Sequence, residues 1–445
     1  MQGRAWLSLI HILLITTVVA IATPVSVVRH PNYNANVTRI SVHHNPNYHA
    51  NGTKSLVHVY YKYGTTPILP GPYHRGDDGI LRKRQEDGTT GVVTADDQED
   101  DMYYTCPVEI GTPPQTLNLN FDTGSSDTWV WSTAIPETEL ASTSGETLFD
   151  PSKSSTFHNM PGSTWQIRYG DGSSASGTVG TDVVKIGSIT IEGQAVELAN
   201  QLSRQLLNDS VANGLLGLGF SFINNVIPIR VQTPLENMIL QNDIPTNQEL
   251  FTCYLGSYKD VNDPDGGRSF YSFGDIDESV IPSGQELCYT PINNTRGFWM
   301  FDSPSVIING EQYDLPKYQA VADTGTTLLL LPDEVCRQFY GQIPGSEYSE
   351  ADQGWVYPTN TSPNDLPDFS VAVGTCPITI DKEHIGFAPS LKPNMTFGGI
   401  QSPGNLKFGI FGVIFLQNVY AVFDGGNLRF GVVQRADPTP DGPQS

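Results

Sequence analysis

Charge is scarce in this chain of 445 residues: Asp, Glu, Lys and Arg make up 16% of it, where soluble proteins average about 25%. Positive charge is scarcer still, with 24 Lys and Arg against 47 Asp and Glu and a formal net charge of -23. Nucleic acid and anionic membrane surfaces would be repelled by such a chain, so neither is expected as a partner. Cysteine is sparse too. Cys106, Cys253, Cys288, Cys336 and Cys376 are five, so one stays unpaired if the rest form bridges; the spacing does not say which, and buried free thiols are the alternative. Long apolar runs are lacking except from Ala5 to Ala20, where Ser8, His11, Thr16 and Thr17 interrupt. That run is short for a membrane span. It follows Arg4 and ends in Ala20-Ile21-Ala22, the positive start, apolar core and small-x-small end of a secretory signal, with cleavage expected after Ala22. No hydrophobic tail follows Phe430, so no lipid-anchor signal is present.

What the chain has in quantity is Gly (43) and Pro (32), which suits a turn-rich, all-β body, and its length allows two or more sizeable cores. Two stretches stand out, Phe121-Asp122-Thr123-Gly124-Ser125-Ser126 and Ala322-Asp323-Thr324-Gly325-Thr326-Thr327. Each follows an apolar, β-prone run, so each reads as a strand leading into a loop that presents a carboxylate. One Asp-Thr-Gly alone would be ordinary turn chemistry. Here each copy is followed at a similar remove by a second pattern, Asn213-Gly214-Leu215-Leu216-Gly217 and then Phe408-Gly409-Ile410-Phe411-Gly412. The chain repeats itself as two halves, each contributing one acid.

With these motifs in their order, the sequence resembles the pepsin-like aspartic proteases, and specifically the secreted fungal type. DTGSSDTWVW, DTGTTLLLLP, QIRYGDGSSASG, FDPSKSSTF, SFGDID and FLQNVYAVFD carry the resemblance, from about Thr105 to Phe430. It implies a bilobal all-β fold with a cleft between two pseudo-symmetric lobes, and an aspartic endopeptidase acting on proteins or peptides with neither cofactor nor metal. Asp122 and Asp323 become the catalytic pair. Two acids within hydrogen-bond reach cannot easily both ionise, so one is protonated and the other not, and together they activate a water and polarise the scissile carbonyl. By the same resemblance Ser125 and Thr326 hydrogen-bond the outer carboxylate oxygens, Thr123 and Thr324 tie the loops together, and Gly124 and Gly325 let backbone amides face the carboxylates. Tyr169, Gly170 and Asp171 match the tip of a flap over the cleft, with Trp129 as the hydrogen-bond partner of Tyr169. Two departures stand against the family pattern. Its usual second-half disulfide would fall near Tyr357-Pro358 and Thr396-Phe397, where no cysteine stands, and its usual Gly-Asp near the end is Gly412-Val413 here, which leaves the cleft less negative. A secreted, catalytically silent binding or inhibitor protein on the same fold is the alternative, although both acids and the flap tyrosine are present.

Residues 1–22 are thus expected to be a signal peptide and 23–84 a pro-segment. The latter carries eight Lys and Arg against Asp77 and Asp78 alone, includes an imperfect repeat (HPNYNANVTR, NPNYHANGTK), and closes on Arg82-Lys83-Arg84, a dibasic processing site at Lys83 and Arg84. Lys62 is the candidate to reach Asp122 and Asp323, and the histidines of this segment are expected to gain charge first on acidification and tighten it on the acidic body. Residues 85–285 are expected to form an acidic leader and the N-terminal lobe, and 286–445 the C-terminal lobe with a short tail. The segment from Asp275 to Gln285 reads as the connection, and Pro234 to Gln241 and Pro332 to Gly341 as helices. Asn36, Asn51, Asn208, Asn293, Asn360 and Asn394 head N-x-Ser/Thr sequences and are glycan candidates in a secreted chain. The expected product is an extracellular monomer whose partners are its substrates, its own pro-segment and a processing protease; a vacuolar destination stays open.

Overall fold

The computed structural model describes residues 38–44, 49–84, 90–92, 104–140, 147–168, 174–203, 207, 212–256 and 269–436. The all-β expectation holds. In the strand Gln115–Asp122, Leu117, Leu119 and Phe121 turn inward while Thr116 and Asn118 stay exposed, the alternation of a half-buried strand, until its last residues are buried on both faces. Gly214–Gly217 runs parallel beside it, setting Gly217 opposite Asp122, and Thr128–Trp131 closes the unit as an antiparallel neighbour of Gly214–Gly217. Gly214 has φ +143 and an added Cβ would lie 2.0 Å from the Trp129 carbonyl, so the close approach of these two strands requires glycine.

The second half repeats this arrangement. Gln319–Ala322 runs parallel to Gly409–Phe411, which pairs antiparallel with Leu329–Leu330. The doubled pattern read from the sequence is therefore a doubled topology, with an acid at the end of each first strand. A six-stranded sheet ties the halves together, in the order Ile40–Ser41, Phe270–Phe273, Leu250–Tyr254, Val419–Asp424, Arg429–Gln434, Cys288–Pro291. The 275–285 segment crosses from Phe270–Phe273 to the far edge strand of that sheet.

Both expected helices form. Pro234–Gln241 starts on Thr233, whose hydroxyl accepts from the Glu236 amide while Glu236 accepts from the Thr233 amide, a reciprocal cap that satisfies two otherwise orphaned donors. Asp333–Tyr340 buries Val335 and Phe339. A third helix, Gly52–Lys62, lies in the basic segment and was not anticipated as one. Its start is capped by Asn51, which accepts from the Lys54 amide at 3.0 Å, and Leu56, Val57, Val59 and Tyr60 are buried in the main core. Both the Ile40–Ser41 and His43–His44 strands of this segment pair with strands of the body.

Lys83 and Arg84 lie in Leu81–Arg84, the central strand of a three-stranded sheet between Tyr73–Arg75 and Thr90–Val92. Cys288 and Cys376 form a disulfide, while Cys106, Cys253 and Cys336 are buried free thiols. Where the second-half disulfide implied by the resemblance would fall, Tyr357 and Thr396 face each other across paired strands. Asn293, Asn360 and Asn394 are exposed and Asn51 is half-buried; Asn36 and Asn208 lie outside the described residues. Among those residues no helix is long and apolar enough to cross a membrane.

Candidate active site

The two Asp-Thr-Gly loops meet at the centre. Asp122 and Asp323 are 3% and 0% exposed, and each accepts a hydrogen bond from the glycine amide two residues on, Gly124 to Asp122 Oδ1 at 2.8 Å and Gly325 to Asp323 Oδ1 at 3.0 Å. Each glycine also faces the opposite acid. A Cβ on Gly124 would fall 2.4 Å from Asp323 Oδ1, and one on Gly325 would fall 2.3 Å from Asp122 Oδ1. No side chain fits at either place, and that is what lets the two carboxylates approach. The Thr324 hydroxyl accepts from the Thr123 amide, and the Thr123 hydroxyl from the Thr324 amide.

The halves differ at the next position. Thr326 donates to Asp323 Oδ2. Ser125, at the matching offset, pulls the Asp122 carboxyl down only weakly against its burial, and its buried hydroxyl stands outside ordinary hydrogen-bond geometry.

Between the acids lies a cation from the basic segment. Lys62 Nζ is 2.9 Å from Asp122 Oδ1 and 3.0 Å from Asp323 Oδ1. Tyr63, which the sequence reading passed over although it adjoins Lys62, donates to Asp323 Oδ2 at 2.7 Å and packs against Phe298 and Phe408. Burial pushes both acids up. At Asp323, Lys62 and hydrogen bonds from Thr326, Asp122 and Tyr63 overcome burial and hold the carboxyl at about 2. At Asp122 burial prevails, reinforced by the neighbouring Asp323 charge and opposed by Lys62, so its pKa is raised. One acid is thus pulled down and the other up, the asymmetry a proton-sharing pair needs.

A cavity of about 350 Å³ remains beside the dyad, lined by His58, Lys62, Asp127, Trp129, Ile167, Arg168, Leu215, Ile223, Asn225 and Phe298 among others. Trp129 is buried and stacks on Trp165 with ring centres 5.9 Å apart. The flap tip Tyr169, Gly170 and Asp171 lies outside the described residues; the strands that lead to it, His158–Arg168 and Ser174–Ile186, pair in antiparallel register from Ser174 opposite Arg168. Val413 is 5% exposed and its amide donates to the Thr326 carbonyl at 2.8 Å, so it keeps the backbone tie to the second loop without adding a third acid.

His58 differs from a solvated histidine. It is buried on the docked helix one turn before Lys62, and burial, with the Lys62 charge, pushes its pKa down to about 4 although Asp323 pulls the other way. Its protonation is therefore disfavoured in this arrangement, because the site has no room to solvate a second cation.

Comparisons with known proteins agree with this geometry. The eukaryotic aspartyl protease family model matches residues 103–435. Endothiapepsin of Cryphonectria parasitica is 39% identical over 371 residues, covering 82% of this chain and 83% of that protein. Penicillopepsin-1 of Penicillium janthinellum is 40% identical over 78% of this chain and 99% of its own length, and aspergillopepsin-1 of Aspergillus fumigatus is 39% identical over 78% and 81%. Two acid loops related by a repeated topology, in a match that spans both halves, have one explanation: the chain belongs to the eukaryotic aspartyl protease family.

Proposed function

We propose that this endopeptidase works at acidic pH through a water held between Asp122 and Asp323, and that it is made as a secreted precursor whose residues 23–84 block the cleft. The observation that carries the reading is the pair of buried carboxylates on equivalent loops with the Lys62 ammonium between them. With that segment gone, a water takes the ammonium's place. The ionised acid accepts its proton as it attacks, and the protonated acid donates to the carbonyl oxygen. No covalent intermediate is needed. Trp129, Ile167, Leu215, Ile223 and Phe298 along the cleft suit an extended peptide with large apolar side chains flanking the cut.

Precursor control is supported by three anchors of the basic segment: Lys62 on the dyad, Arg39 on Asp277 with Nε 2.6 Å from Oδ2, and Gln353 exchanging hydrogen bonds with the Tyr73 backbone at 2.8 Å each way. Cleavage after Lys83 and Arg84 needs the Leu81–Arg84 strand to be peeled from its neighbours, since a protease binds its substrate extended and unpaired. The catalytic domain then runs from the acidic leader at 85 to the tail, its two lobes meeting near 285/286, and the signal sequence sends it out of the cell.

The test is hydrolysis of denatured haemoglobin at pH 3 by the processed chain. Asp122→Asn and Asp323→Asn should each abolish it with the fold intact, because each removes half of one acid–base unit. Residual activity above a tenth of wild type in either variant would overturn the assignment of these two acids as the catalytic pair, and a processed wild-type chain that hydrolyses nothing would return the reading to a silent binding or inhibitor protein.

A further inference from the structure

A second pair of acids lies behind the cleft wall, and the peptide chemistry above makes no use of it. Asp127 and Glu197 are 1% and 0% exposed. Asn224 Nδ2 donates to Asp127 Oδ1 and to Glu197 Oε1, 3.1 Å in each case, so the two carboxyl groups share one donor. Each acid also acts on the ionisation of the other, and two ionised carboxylates buried on one shared donor would repel. Glu197 Oε2 has no partner in ordinary hydrogen-bond geometry among the described residues. The contact is attractive only with a proton in it.

The groups around the pair leave little else to hold that charge. Asn225 donates to Asp127 from its amide at 2.7 Å and from Nδ2 at 2.6 Å. The charged and titratable groups near it are Asp122, which raises the Asp127 pKa, and His58, Lys62 and Arg168 across the cavity. None of these cations forms an ion pair with either acid among the described residues. Burial pushes Glu197 well above the usual carboxylate range and the Asp127 charge adds to it, against hydrogen bonds from Asn224 and the Thr128 backbone.

What the pair holds is the wall of the cleft. Asn224 also donates to the Ser126 carbonyl at 3.1 Å, and its Oδ1 accepts from the Val226 amide at 3.0 Å. Ser126, four residues from Asp122, donates to the Phe220 carbonyl at 2.6 Å. Ile223 and Asn225 of this loop and Asp127 itself line the cavity. Glu197 stands on the neighbouring strand, in register with Trp129. We propose that Asp127 and Glu197 share one proton, and that this proton clamps the 220–226 loop to the catalytic loop, so that an intact cleft is a property of acidic pH. Glu197 is a positioning residue, acting on the reaction through Asp127 and Asn225. The sign follows from linkage: the folded state binds the proton more tightly than the unfolded chain does, so stability is fullest below the ordinary carboxylate range and is lost as pH climbs through the raised value.

The inference rests on the proposed hydrolytic activity, and the test keeps the two apart. Because Asp122 and Asp323 titrate as well, processed enzyme is held at pH 7 for set times, returned to pH 3.5 and only then assayed. Glu197→Gln keeps the shape and a donor toward Asp127 but cannot ionise. It should match wild type within about twofold when assayed directly at pH 3.5 and lose activity at pH 7 several-fold more slowly, because it has no ionisation to undergo as pH climbs through the raised value. Wild type that hydrolyses nothing at pH 3.5 defeats the functional reading; active wild type and Glu197→Gln that decay equally fast at pH 7 overturn the clamp. If Glu197→Gln does not fold, wild type alone decides: amide exchange over 214–226, corrected for its intrinsic pH dependence, should quicken between pH 4.5 and 7 more than over 395–411. An equal change in both segments overturns the clamp as well.

Discussion

Thr123 and Thr324 hold each other in place across the two halves. Each amide donates to the other's hydroxyl at 3.0 Å. Each hydroxyl then donates onward to a strand of the opposite half, Thr123 to the Ala322 carbonyl at 2.8 Å and Thr324 to the Phe121 carbonyl at 2.6 Å. All four bonds are buried, so losing one partner leaves the other unsatisfied. Thr324→Val strands the Thr123 amide and the Phe121 carbonyl, at about 1–3 kcal/mol for each group. Chemical denaturation should report that loss, together with a fall in kcat as the dyad opens, and Thr324→Ser should restore both. If the valine variant unfolds at the wild-type denaturant concentration, the reciprocal bonds contribute nothing to stability.

The doubled Asp-Thr-Gly and the doubled glycine-bearing strand after it were legible because symmetry writes itself into sequence: the same turn and the same parallel neighbour need the same residues twice. Thr123, Thr324, Gly124 and Gly325 follow from that repetition. The Gly52–Lys62 helix was not legible as a helix, because its apolar face meets the body only in the docked arrangement and its cap, Asn51, also reads as a glycan site. Tyr63 and Glu197 act through residues distant in sequence, 260 positions for Tyr63 and Asp323, and no local pattern announces such a contact. His58 was counted with the other histidines of its segment because composition carries no information on burial.

Arg168 predicts a substrate preference. It lines the cavity from the end of the flap strand, is exposed, and makes no ion pair among the described residues. Once Lys62 has left, an ionised Glu in the substrate finds a guanidinium there that no carboxylate of the described residues engages. In a peptide series with Glu or Gln placed on either side of an apolar cleavage site, the Glu/Gln ratio of kcat/KM should rise from pH 3 to 5.5 as the substrate carboxyl ionises, and Arg168→Ala should flatten it while still cleaving the Gln peptides. A ratio that rises equally in both enzymes assigns the preference to another group.

Gly52 predicts how tightly the basic segment docks. An added Cβ there would fall 2.1 Å from the Phe397 ring, and the contact opens a helix that delivers Lys62 ten residues later, about 15 Å away. Gly52→Ala in a peptide of residues 23–84 should weaken its inhibition of the processed enzyme at least tenfold, about 1.4 kcal/mol. Asn51→Ala, which removes the cap, should cost about 1 kcal/mol. Inhibition constants equal to the parent peptide would mean that the helix start plays no part in docking.

The last prediction concerns the pH at which that segment lets go. His58 is held down to about 4 in the docked state, while a free histidine titrates near 6.5. Docking is therefore unaffected above about pH 6.5, and it weakens as pH falls toward 4, because only the released segment accepts the proton. Asp323, held at about 2 when docked, contributes a second loss lower down: its ion pair with Lys62 favours docking above the usual carboxylate range near 3.9 and fades as pH drops toward 2. Release should thus come in two steps. Titration calorimetry of the 23–84 peptide against the processed Asp122→Asn chain, which cannot digest it, should show affinity falling roughly a hundredfold between pH 6.5 and 4. His58→Gln should abolish that first step and keep the second, and Lys62→Met should remove the second. Affinity that rises from pH 6.5 to 5 in the parent peptide would put the dominant histidines on the outside of the segment, where they attract the acidic body, and would overturn the role given to His58.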